Sequence, residues 1–214
     1  MKVIISCCSK KKGNNFTHNG ELINFVSQVD PNNAFYVHPD DLIQNQNTTW
    51  RELIALQEIR NDLLPAYDLY NPEIYTLLFQ HFGIDLFIFS AGWGIVRADY
   101  RLPKYDITFG KGKKNPIYAV RNPNQIFNDF NQLEGIDVNE KIVFFAGKDY
   151  VIPFCQLTDH LPNQKIIIYK NQDVLNNNPY LNNNNFQFMY YQTDTCMNWH
   201  YEFAQKLIND EIEL

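Results

Sequence analysis

Apolar positions gather into four short unbroken runs: Val3-Ile4-Ile5-Ser6-Cys7-Cys8, Leu86-Phe87-Ile88-Phe89, Ile142-Val143-Phe144-Phe145-Ala146 and Lys165-Ile166-Ile167-Ile168-Tyr169. Each is rich in β-branched or aromatic residues and bounded by turn formers, and none alternates, which predicts strands buried on both faces. Helical patterns lie between them. Thr48 or Thr49 caps a predicted helix over Trp50 to Leu64 that ends near Pro65, and Pro72 opens another through Phe82, stopped by Gly83. Residues 149 to 161 read as a helix between the third and fourth runs, and Asp194 or Thr195 caps a last one through Ile208. Strands alternating with helices predict an α/β fold, a mostly parallel sheet flanked by helices on both faces.

The order lapses after the fourth run. Asn176 to Asn178 and Asn182 to Asn185 form an Asn-rich surface insertion around 171–186, read as a loop or an irregular edge hairpin, because Asn tolerates turns. At 214 residues the chain is expected to form a single domain spanning 1–214.

Charge narrows the partners. Eighteen basic against 24 acidic residues leave a net charge of −6, which argues against a protein that coats long duplexes by neutralising phosphates. Two basic islands remain, Lys10-Lys11-Lys12 and Lys111, Lys113, Lys114. MKVIISCC is too short and too soon charged for a signal peptide, and no apolar run approaches the ~20 residues that span a bilayer. The expectation is a cytoplasmic protein without a membrane partner. Cys7, Cys8, Cys155 and Cys196 show no CxxC spacing, and His18, His38, His81 and His160 form no HxH or HxxxH pair. Free thiols, no metal and no cofactor are therefore expected.

Open α/β sheets bind ligands outside the carboxyl ends of their strands, and three of the four runs end in unusual residues. After the first, Ser9, Lys10 and Lys11 offer a hydroxyl, backbone donors and cations to a phosphate, or else form a solvated turn; the glycines of a Walker A cradle are missing. After the second, Ser90, Gly92 and Gly94 offer backbone N–H groups, and Trp93 a flat surface for a base; the plainer alternative is a tight turn whose Trp closes the core. Beyond Pro103, Tyr105 gives a second stacking surface and Asp106 a general base for water, unless Asp106 only makes an Asx-turn or cap. Gly147, Lys148 and Tyr150 follow the third run, where a helix N-terminus facing the cleft would attract an anion, with Asp149 as its cap. Asn198 and His200 flank Trp199 at the last helix: Asn can pair with a base edge and His titrates near neutrality, although a lone His is also a common core residue. Cys7 and Cys8 read as a reactive thiol pair near lysines or as small buried hydrophobes.

The pieces "CSKKK", "AYDLY", "FSAGWGIV" with "PKYDITF", and "AGKDY", in this order between about residues 3 and 161, resemble the bacterial and phage proteins related to the YaaA peroxide-stress group. The resemblance implies a parallel-sheet α/β domain with a cleft at those strand ends and a link to nucleotide or nucleic-acid metabolism. By analogy, through a related archaeal tRNA-modification domain, it points toward uracil-DNA glycosylase. Trp93 departs from it, standing where relatives are expected to carry a smaller or charged residue, and the Asn-rich stretch has no counterpart.

Two functional readings follow. The first is a hydrolase or transferase acting on nucleotides or single-stranded nucleic acid, with the N-glycosidic bond as its candidate target. In it a base stacks on Trp93 or Tyr105, a phosphate meets Lys10, Lys11 or Lys148, and Asp106 and His200 carry catalysis. The second is a non-catalytic nucleotide- or DNA-binding stress or sensor protein using the same cleft. A thiol redox role for Cys7 or Cys8 ranks last, since no resolving partner is visible.

Overall fold

Among the described residues seven strands make the main sheet: β1 (Lys2–Ser6), β2 (Leu86–Ser90), β3 (Gly94–Arg97), β4 (Phe130–Asn131), β5 (Ile142–Phe145), β6 (Lys165–Tyr169) and β7 (Phe186–Tyr190). They lie in the order β4-β3-β2-β1-β5-β6-β7. The computed structural model describes residues 1–6, 11–30, 32–112, 114–122, 125–195 and 198–214. Every neighbouring pair is parallel except the β2–β3 hairpin. The four runs predicted from the sequence are the adjacent central strands β2, β1, β5 and β6, whose residues are buried almost throughout. Their registers, Ser6 against Phe89 and Ile5 against Phe145, bring their carboxyl ends to one side of the sheet.

Among the described residues five α-helices accompany the sheet: α1 (Trp50–Ala55), α2 (Ala66–Leu69), α3 (Ile74–Phe82), α4 (Val151–Thr158) and α5 (Trp199–Ile208). The protein is thus mixed α/β with a mostly parallel central sheet. In β5, Phe144 stacks on Phe154 of α4 with ring centroids 3.9 Å apart, while the next residue, Phe145, meets Phe203 of α5 at 4.9 Å. None of the described helices is long and apolar enough to cross a membrane.

Trp50 as a helix start and Phe82 and Ile208 as helix ends fall where the sequence places them. Thr49 caps α1 through a reciprocal box with Glu52, as its hydroxyl predicts. However, α1 stops at Ala55 rather than near Leu64. The cause is tertiary: Gln57, at φ +55°, turns its side chain to the backbone of Arg101, accepting its N–H at 2.7 Å and donating to its carbonyl at 3.1 Å. That leaves Leu63–Pro65 free to pair antiparallel with Arg101–Pro103. The Asn-rich segment is the β6–β7 connection, where Asn178 is buried and holds the Val174 carbonyl and the Tyr180 N–H. The edge strand after it was not legible in the sequence.

The N-cap of α5 is Asn198 rather than the expected Asp194 or Thr195, and it makes no side-chain cap hydrogen bond. Thr195, Thr193 and Tyr191 donate their hydroxyls to the Glu202 carboxylate, the last two at 2.7 and 2.8 Å, and hold its pKa down to about 2. Because the folded pKa lies below the ordinary value of 4.5, this stabilisation is fully present above pH 4.5 and disappears as pH falls through about 2. Acid unfolding followed by circular dichroism should therefore show stability declining across that interval in the wild type. The decline should be flatter in Glu202→Gln.

Candidate functional site

The turn after β2 is built from the inside. Ser90 Oγ accepts the N–H groups of Gly92 and Trp93 at 3.3 and 3.2 Å and donates to the Tyr105 hydroxyl at 2.8 Å. Arg51 donates to the carbonyls of Trp93 and Gly92, both at 3.2 Å, while its Nε pairs with Asp40. Arg121 reaches the Ala91 carbonyl at 3.0 Å and forks onto Asp129 at 3.1 and 2.7 Å. Burial pushes the Asp129 carboxyl up against the pull of Arg121. Two guanidinium groups thus occupy the carbonyls of this turn, and a serine occupies two of its N–H groups.

This arrangement corrects two expectations, the Trp93 stacking face and the free N–H groups. Trp93 is completely buried, with its ring against Phe25 at 5.1 Å and Phe130 at 6.5 Å, so it closes the core and offers no face to a ligand. The N–H groups of Gly92 and Trp93 are already used. Gly94 is needed for φ +89° and for the close passage of β4, since a Cβ there would lie 2.3 Å from the Phe130 carbonyl oxygen. Gly92 has a different reason: a Cβ would stand 3.1 Å from both the Tyr105 ring and Ile107, so its small size seats Tyr105.

Tyr105 then carries the network outward. Its hydroxyl lies 2.7 Å from that of Tyr70, at the end of the "AYDLY" segment, and Lys11 bridges to Tyr70 through its backbone. The Lys11 ammonium sits 3.9 Å above the Tyr105 ring. Tyr105 and Asp106 form a short strand parallel to Asn24–Val26. Tyr150 packs edge-on to Phe109 at 5.1 Å, with its hydroxyl 3.4 Å from that of Thr108. Segments dispersed along the chain therefore converge at the carboxyl ends of the central strands.

A cavity of about 380 Å³ opens where they meet. Lys11, Lys104, Tyr105, Asp106, Thr108 and Tyr150 line it, with Asn15, Asn24 and Asn115 completing the polar wall and Phe16 and Phe25 the apolar one. Asp106 is exposed and lies beside Tyr118, whose phenol is pushed up to about 12 by burial and then by Tyr36 and Asp106. Thr108 and Asn115 brace the rim: Thr108 accepts the Gly110 N–H at 3.0 Å and Asn115 donates to the Gly110 carbonyl at 2.7 Å. Two cations, one carboxylate, amides and aromatic walls in a space of this size suit a small anionic ligand with a polar planar part.

Of the residues expected from the sequence, Lys11, Tyr105, Asp106 and Tyr150 line this cavity. Ser90 supports it from below. Lys148 instead pairs with Asp173 at 2.9 Å, and that carboxylate raises its pKa; neither Lys148 nor Gly147 lines the cavity. His200 is not brought to Asp106 either. It packs on Tyr201 at 4.2 Å, its Nδ1 is buried without a partner among the described residues, and burial lowers its pKa to about 4. Asn198, exposed at the start of α5, takes a left-handed φ of +61° and is likewise absent from the lining. Ser9, Lys10, Cys7 and Cys8 lie outside the described residues.

Sequence reasoning missed Lys104, Asn15, Asn24, Thr108 and Asn115, and the two arginines that hold the turn. Lys104 adjoins Tyr105 and Asp106 and was discoverable from "PKYD", whereas nothing in a linear reading distinguishes Asn24 from the many other asparagines. No protein family, no curated protein and no solved structure matches this chain.

Proposed function

We propose that the cavity binds a nucleotide or the end of a single-stranded nucleic acid, and that the protein hydrolyses or transfers at it, with the N-glycosidic bond as the candidate target. The observation that carries the reading is that Lys11, Lys104 and Asp106 line one cavity together with amide and aromatic groups. The lysines would take phosphate, the asparagines a base edge, and Asp106 the proton of an attacking water. Lys11 over the Tyr105 ring makes that tyrosine a support for the cation more than a stacking platform. A net charge of −6 favours a free nucleotide or short single strand over long duplex, and a closed pocket demands an unpaired base. The proposal includes a single domain with helices over both faces of the sheet, supported by adjacent Phe144 and Phe145 meeting α4 and α5 respectively.

Purified protein is to be incubated with nucleosides, nucleotides and short oligonucleotides, with released base or phosphate read by mass spectrometry. Asp106→Asn should reduce release by about 10²–10⁴-fold, the usual worth of a general base, while retaining ligand. Unchanged release would remove Asp106 from the reaction. One observation favours binding without turnover: Asp106 is the lone acidic side chain among the described lining residues, and His200, its expected partner, lies elsewhere. Retained ligand with no release from any substrate would select that reading.

A further inference from the structure

β7 ends the strand order on its side of the sheet and carries no charged residue. Among the described residues no strand lies beyond it. Tyr191 donates its N–H to the Tyr169 carbonyl at 2.8 Å, so backbone alternation turns the main-chain groups of Gln187 and Met189 toward β6 and those of Phe188 and Tyr190 away from the sheet. No Asp, Glu, Lys or Arg occurs from Val174 to Thr193, in a chain where 20% of residues are charged. Proteins ordinarily protect an open edge with charge, proline or a bulge, and this one carries none of the three within Phe186–Tyr190.

We propose that β7 is a homodimer interface, in which two copies pair their Phe186–Tyr190 strands antiparallel about a two-fold axis and join their sheets. A second copy is the occupant the charge pattern favours. A net charge of −6 on each copy opposes association in general, whereas this segment brings no like charges together. The geometry also selects the same edge on both partners. The opposite edge, β4, has only Phe130 and Asn131 and follows Asp129, which is tied to Arg121, so it cannot take a five-residue strand head to tail. Pairing like edges uses both and closes at two chains instead of growing into a fibre.

Light scattering coupled to gel filtration should give twice the chain mass for the wild type at micromolar concentration. A chain with Gln187→Lys and Tyr190→Lys should be monomeric, as should one with Gln187→Glu and Tyr190→Glu; both positions are exposed, so the fold should persist by circular dichroism. Mixing the two variants should restore a dimer, a result that simple misfolding would not produce. In the wild type, hydrogen exchange at the amides of Phe188 and Tyr190 should slow as concentration rises. A wild-type monomer, a dimer insensitive to both variants, or exchange independent of concentration would each overturn the interface.

Discussion

Gly94→Ala is expected to lower the unfolding free energy by about 4 kcal/mol, enough to place it among the rare severe single substitutions. Two costs combine. A left-handed backbone at φ +89° is unfavourable by about 1–2 kcal/mol for a residue with a Cβ. The added carbon would also meet the Phe130 carbonyl oxygen at 2.3 Å and its nitrogen at 2.7 Å. These are backbone atoms of β4, so relief requires moving the edge strand and the Asp129 that anchors Arg121. Gly20→Ala is the matched comparison: Gly20 has φ +82°, but a Cβ there would meet nothing within 4 Å, and the substitution should cost only about 1–2 kcal/mol. Urea denaturation of the two variants separates strain from close approach. Equal losses would mean that the passage of β4 contributes nothing.

Arg51→Met should cost about 3–5 kcal/mol, the range found when one partner of a buried ion pair is removed. The Arg51 and Asp40 side chains are only 6% and 13% exposed, so the substitution strands a carboxylate. It also removes the donor held by the Gly92 and Trp93 carbonyls. Adding Asp40→Asn to Arg51→Met should recover part of the loss, because an amide needs no cation, although Asp40 also accepts the Asn128 N–H at 2.8 Å. Strict additivity of the two losses in denaturant titrations would show that the ion pair is not coupled. Loosening this turn should disturb the cavity too, since Ser90 and Gly92 fix the position of Tyr105.

The two glycines of SAGWG show how a motif can be read correctly as special and still be assigned the wrong task. Both are required for close approach, as their lack of a Cβ suggests, but the approaching groups are the β4 backbone and the Tyr105 ring. Trp93 between them is apolar enough for either a core or a stacking platform, and burial decided for the core. Lys148 was equally ambiguous, a cation after a buried strand, until Asp173 in the next loop claimed it.

Local sequence determined what depends on neighbours along the chain. Four continuous apolar runs specify buried strands, and they became the adjacent centre of the sheet. Thr49 and Glu52 specify a helix start because their hydrogen bonds close within one turn. What depends on distant partners was left to the tertiary structure. Gln57 ends α1 by bonding Arg101, and the cavity exists because Lys11, Asn24, Asp106 and Tyr150, scattered along the chain, are drawn together by strand pairing and a shared core. A residue type announces which bonds it can make, and only the fold decides which partner comes within reach.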